Sequence, residues 1–180
     1  MKSRGAAVLV IVAMTGIVVT GVTLLAQSRR SDQRFSFPVE LSCGPAHARG
    51  EVVRVELSDN GTMMGGVTPM GVSLSATPSS VRAGTITFEA TNVGFLSHEL
   101  VVMPAPTTGV GTRRVDANGK IDETGSLGEA SASCRAGAGS GIGPGATGWV
   151  TMNLRPGLYE LVCDVPWHYV QGMVSALRVT

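Results

Sequence analysis

Near its C-terminus the chain reads C-D-V-P-W-H-Y-V-Q-G-M, which sets Cys163, His168 and Met173 at intervals of five residues. A thiol, an imidazole and a thioether on so short a segment are soft metal donors, and the set lacks one member. His98 supplies it, in N-x-G-x-x-x-H from Asn92. Zinc sites use cysteine and histidine but rarely methionine. Two imidazoles and a thiolate, with a weak axial methionine, form the trigonal site that carries copper in electron-transfer proteins. Taken singly, His98 reads as a core histidine, Cys163 as a buried hydrophobe and Met173 as core filling. Their joint spacing makes them the expected metal ligands.

The elements that must position these residues are strands. Alternation groups Val53, Val55 and Leu57 within Glu51 to Leu57, and Ile86, Phe88 and Ala90 within Thr85 to Ala90. It also groups His98, Leu100 and Val102; Val150, Met152 and Leu154; Tyr159, Leu161 and Cys163; and Met173, Ser175, Leu177 and Val179. Gly71 to Ala76 reads as a further short strand. A period of two between turn residues is the pattern of an all-β sandwich or barrel. Arg155-Pro156-Gly157 is expected to turn two strands side by side. Asn118-Gly119 predicts a tight hairpin with positive φ at both positions. The segment around it lacks the acidic ladder of a calcium loop. Gly137 to Gly148 reads as a flexible surface loop, without the strand-to-helix setting of a phosphate cradle.

Lys2 and Arg4 precede an uncharged apolar run, Ala6 to Ala26, closed by Arg29 and Arg30. As a helix rising ~1.5 Å per residue it would span roughly 30 Å, a bilayer's hydrocarbon thickness. Leu24-Leu25-Ala26 is a poor cleavage site. The expectation is a single-pass membrane anchor through residues 6–26 with the domain on the extracytoplasmic face; the alternative is a cleaved signal and a secreted protein. The organisation expected is an anchor or signal segment at 1–30, a connector at 31–50 and a metal-binding domain at 51–180.

Composition narrows the partners. With 14 basic and 13 acidic residues and no basic block, nothing points to nucleic acid. Three cysteines suggest one pair and one thiol with another task. Cys43 and Cys134 are the candidates for a disulfide, which an oxidising compartment would allow; in a reducing one they would be inert thiols. Met63, Met64 and Met70 lie in a glycine-rich stretch and read as loop packing, with a second Cu(I) site as the sharper alternative. His47 reads as solvated.

H-E-L-V-V at His98, P-G-L-Y-E-L-V-C at Pro156 to Cys163, and the C-x4-H-x4-M spacing resemble the cupredoxins, nearest to the sulfocyanin and rusticyanin group. The resemblance covers roughly Glu51 to Thr180. It implies an antiparallel Greek-key β-sandwich holding one copper ion, Cu(II)/Cu(I), through His98, Cys163, His168 and Met173. It also implies an electron carrier rather than an enzyme, serving a redox donor and acceptor such as a respiratory complex outside the cytoplasm. The alternative is a copper-binding or copper-delivery protein without electron traffic. Two positions depart from the family pattern. Glu99 stands where many members carry Asn or Ser. Trp167 stands where many carry Gly, beside an imidazole expected to face solvent.

Overall fold

The computed structural model describes residues 43–59 and 71–180. The expected anchor, the methionines at 63, 64 and 70, and most of the connector lie outside them. Among the described residues nine strands form two sheets: β1 (Glu51–Asp59), β2 (Val72–Thr77), β3 (Ser80–Val81), β4 (Gly84–Asn92), β5 (Leu100–Pro104), β6 (Gly128–Ala130), β7 (Thr147–Leu154), β8 (Gly157–Val162) and β9 (Val174–Val179). One sheet runs β2-β1-β4-β7 and the other β3-β9-β8-β5-β6.

The inward phases read from alternation meet between the sheets. Val53, Val55 and Leu57 of β1 and Ile86, Phe88 and Ala90 of β4 face Leu100 and Val102 of β5 and Leu161 and Leu177 of β8 and β9, all essentially without exposure. Fully burying each large aliphatic or aromatic chain contributes about 1.5–3 kcal/mol, so this slab is the main stabilising element.

The sheets are mixed, which corrects the expectation of an antiparallel sandwich. β1 and β4 pair in parallel, Val53 opposite Phe88, and β3 runs parallel to β9. The cause is a crossover. After β2 the chain passes to the other sheet as β3, then returns as β4 beside β1 in the same direction, since parallel neighbours need such a connection.

The second sheet is buried on both faces. Tyr159 and Leu161 of β8 enter the sandwich, while Glu160 and Val162 point the other way and are equally buried. Val162 joins Val101, Met103, Ile121 and Tyr169 in a smaller apolar cluster under the 104–127 connection. Glu160 is satisfied there. Its Oε1 accepts from the Gly111 N–H at 2.7 Å and the Tyr169 hydroxyl at 2.8 Å, and its Oε2 from Arg113 Nε at 2.6 Å.

The hairpin at 115–121 forms with different turn chemistry. Val115 bridges Ile121, the Gly119 N–H donates to the Asp116 carbonyl at 3.0 Å, and only Gly119 has positive φ, at 78°. This is the longer hairpin loop, closed by a left-handed glycine, rather than a two-residue turn. Asp116 Oδ1 accepts from the Asn118 and Lys120 N–H groups and so takes over the role of a second left-handed residue.

Candidate metal centre

The first histidine is held from three sides. Asp59 ends β1 in the inward phase of Val53, Val55 and Leu57 and is buried. Its Oδ2 accepts from the Phe95 N–H at 2.8 Å, the Leu96 N–H at 3.0 Å and His98 Nε2 at 2.9 Å. Asn92, at the end of β4, pins the same turn. Its Nδ2 donates to the carbonyls of Leu96 at 2.6 Å and Ile142 at 2.7 Å, and its Oδ1 accepts from Gly94. The His98 backbone exchanges hydrogen bonds with Ile142, 3.1 Å in one direction and 2.7 Å in the other. His98 therefore precedes β5 in an isolated bridge instead of opening the strand.

That bridge also corrects the reading of Gly137 to Gly148 as a flexible surface loop. Ile142 is fully buried, Ala132 bridges Gly141, and Ala136 bridges Trp149. The segment carries few side chains, so backbone pairing anchors it. Cys134 at its head is disulfide-bonded to Cys43, as the cysteine count suggested.

The other donors come from the segment after β8. Cys163 and Met173 are fully buried and His168 is 4% exposed. The Cys163 N–H donates to the Met173 carbonyl at 3.1 Å, and the Met173 N–H to the His168 carbonyl at 3.1 Å. A one-turn 3₁₀ helix, Tyr169–Gln171, closes on Gly172, whose φ is 95°. The loop is thus a closed ring of backbone bonds, with its donors aimed back into the sandwich. The expectation of a solvent-facing imidazole at 168 is corrected: His168 is 4% exposed, so only a small edge is accessible.

The structure brings His98, Cys163 and His168 together. His98 Nδ1 lies 3.2 Å from His168 Nδ1 and 3.9 Å from Cys163 Sγ, and His168 Nδ1 lies 3.5 Å from Sγ. The circle through these three atoms has a radius of about 2.1 Å, matching the ~2.0–2.3 Å bonds that nitrogen and sulfur make to a divalent ion. Met173 occupies the same buried cluster as Cys163. The donor set is soft, closed and nearly dry, which fits a copper ion better than zinc.

Burial pushes the Cys163 thiol up to about 12, against the opposing N–H groups of Glu99 and Val165. Metal must therefore displace a proton to gain the thiolate. Burial, with a smaller contribution from the neighbouring His98, holds the His168 imidazole below its ordinary value, which keeps a nitrogen lone pair free. Burial would raise the Asp59 carboxyl, but the Leu96 N–H, His98 and the Phe95 N–H outweigh it and hold it below the usual range.

Glu99 contributes its backbone: its N–H points at Cys163 Sγ from 3.4 Å. Its carboxylate lies away from the donors, with Glu123 and Asp164. Trp167 is half exposed and has a φ of 70°, a conformation that favours glycine. His47 is exposed and is not among the donors that converge. Sequence reasoning missed Asp59 and Asn92. The signal for Asp59 was the continuation of the inward phase of β1 by two residues.

No known family profile matches the chain, and no curated protein matches it. Among solved structures, a dithionite-reduced auracyanin from Roseiflexus castenholzii is 20% identical at a TM-score of 0.47, covering 74% of this chain and 99% of its own. Auracyanin B is 20% identical at 0.46, covering 77% and 95%. Rusticyanin from Thiobacillus ferrooxidans is 17% identical at 0.43, covering 73% and 79%. The three converging donors lie where the ends of β1, β4 and β8 meet the 93–98 turn and the 163–173 loop.

Proposed function

We propose that the protein is a mononuclear type 1 copper protein that carries single electrons between redox partners outside the cytoplasm, with His98, Cys163, His168 and Met173 as ligands. The observation that carries this reading is the buried triangle of two Nδ1 atoms and one Sγ, sized for a single ion. Reversible one-electron reduction is the chemistry that copper supplies when bound. The chain's part is to keep the donors still. His98 is fixed by Asp59 and Ile142, and Cys163 by the Glu99 N–H and the backbone ring to Met173. Donors that move little between oxidation states lower the reorganisation cost of transfer. The thioether of Met173 would lend Cu(II) less support than a further nitrogen or oxygen ligand, which leaves the potential high.

Electrons would enter and leave over the small accessible edge of His168. The exposed side chains of Trp167 and Val170 flank it in sequence and supply an apolar docking patch for a donor and an acceptor, such as a respiratory complex. The Cys43–Cys134 disulfide supports an oxidising compartment. Tethering through residues 6–26 would place the domain on the outer face of a membrane, and cleavage of that segment would release it.

The test is to load the full-length chain, in mild detergent, with Cu(II) and record its visible spectrum. An intense thiolate-to-copper band that Cys163→Ser abolishes is expected. Tight Cu(I) binding with no such band would overturn the electron-transfer reading in favour of copper delivery.

A further inference from the structure

Asp59 plays no part in the ligand set, yet the geometry around it is costly. Its Oδ2 accepts three hydrogen bonds, while its Oδ1 is buried with no partner among the described residues. The side chains of Asp59 and His98 are both fully shielded from solvent, at 2.9 Å from each other. The Phe95 and Leu96 N–H groups could be served by a neutral asparagine carbonyl or by water. A carboxylate with an orphaned oxygen, in a site that excludes water, is retained for something beyond bracing a turn.

The imidazole of His98 has two nitrogens with different neighbours. Nε2 meets the acceptor-only carboxylate, so it carries the proton, and Nδ1 presents its lone pair to His168 Nδ1 and Cys163 Sγ. A histidine free of this constraint would divide its proton between the two nitrogens. Resting on the copper reading above, we propose that Asp59 is a positioning residue for the metal centre. It locks His98 in the tautomer and ring orientation that offer Nδ1 to the ion, and it sets a fixed negative charge one imidazole away. A carboxylate behind a ligating imidazole makes that ligand more basic. It stabilises the more highly charged Cu(II) over Cu(I), so it lowers the reduction potential. His168 has no such partner: among the described residues its Nδ1 faces His98 and Cys163, and no carboxylate hydrogen-bonds its Nε2. The two imidazoles are therefore inequivalent ligands.

The test uses full-length wild type, Asp59→Asn and Asp59→Ala. Long-range ¹⁵N–¹H NMR of the metal-free wild type should show His98 protonated at Nε2 and bare at Nδ1; the opposite tautomer overturns the proposal. Zn(II) affinity should fall about 10–100-fold in Asp59→Ala and be largely rescued in Asp59→Asn, which keeps an acceptor; Asp59→Ala within twofold of wild type overturns it. With copper bound, the potential of Asp59→Asn should lie above wild type. A purely structural brace would leave that potential unmoved, and this result would remove the charge role. If wild type shows no thiolate-to-copper band, the electron-transfer reading fails, while the tautomer and the zinc affinities still decide this one. If Asp59→Ala does not fold, the wild-type tautomer and Asp59→Asn decide it.

Discussion

The indole of Trp167 lies directly against Gly119. A Cβ built at 119 would stand 2.5 Å from the Trp167 Cδ2, and the Trp167 N–H donates to the Gly119 carbonyl at 3.0 Å. The hairpin at 115–121 thus supports the residue that precedes His168. It also offsets the strain of a bulky residue at φ 70°, which costs roughly 1–2 kcal/mol.

Gly119→Ala should therefore do more than strain its own backbone. It must displace the indole, and with it the Trp167–His168 peptide. The expected loss is about 3 kcal/mol by urea denaturation, from roughly 1–2 kcal/mol for a left-handed alanine alone and about 1–3 kcal/mol for overpacking against the indole. A loss of only about 1–2 kcal/mol, the backbone part alone, would show that the indole has somewhere else to rest.

Met173→Leu should keep the protein folded and coloured. The swap nearly conserves volume and costs less than about 1.5 kcal/mol. It removes the donor that lends Cu(II) its weak axial support, so the potential measured by redox titration should rise. Loss of copper instead would mean that the thioether holds the ion rather than tunes it.

Arg113→Ala strands Glu160, whose side chain has no exposure, on the outer face of β8. A broken buried pair costs about 3–5 kcal/mol, and the 19% exposure of Arg113 places the expected loss near the lower bound. Tyr169→Phe removes one hydroxyl bridge to the same carboxylate and should cost about 2 kcal/mol. Equilibrium unfolding of the metal-free protein measures both.

Glu123 gives a pH dependence. Burial, then hydrogen bonding and repulsion from Asp164, raise its carboxyl to about 7 from an ordinary 4.5. The folded state therefore holds this proton more tightly than the unfolded state does. Its stabilising contribution is full below pH 4.5 and is lost as pH rises through 7. Wild type should lose more stability than Glu123→Gln between pH 5 and pH 8, and parallel curves for the two would refute the assignment.

Much of the fold was legible because β1, β4 and β9 each bury one face, so a period of two maps onto the core. Glu160 shows where that logic stops. In β8 it occupies the outward phase, and only the distant 104–127 connection makes that phase interior. The parallel pairing of β1 with β4 was hidden likewise, since it depends on the short β3 joining the opposite sheet, a long-range event with no local signature. Three donors were legible from residue type and spacing. Asp59 was not, because a single acid at a strand end looks like any other turn residue until the fold sets it behind His98. Trp167 was read as a departure from the glycine that many cupredoxins carry, and its φ of 70° is a conformation that favours glycine.

The unequal support of the two imidazoles gives the cavity one rigid wall and one hinge. His98 is bolted to two strands and a bridge, whereas His168 rides the eleven-residue span from Cys163 to Met173. Heat or denaturant acting on the empty pocket should open it from the C-terminal side, and an incoming ion should be gripped first by the bolted side and enclosed by the swinging one.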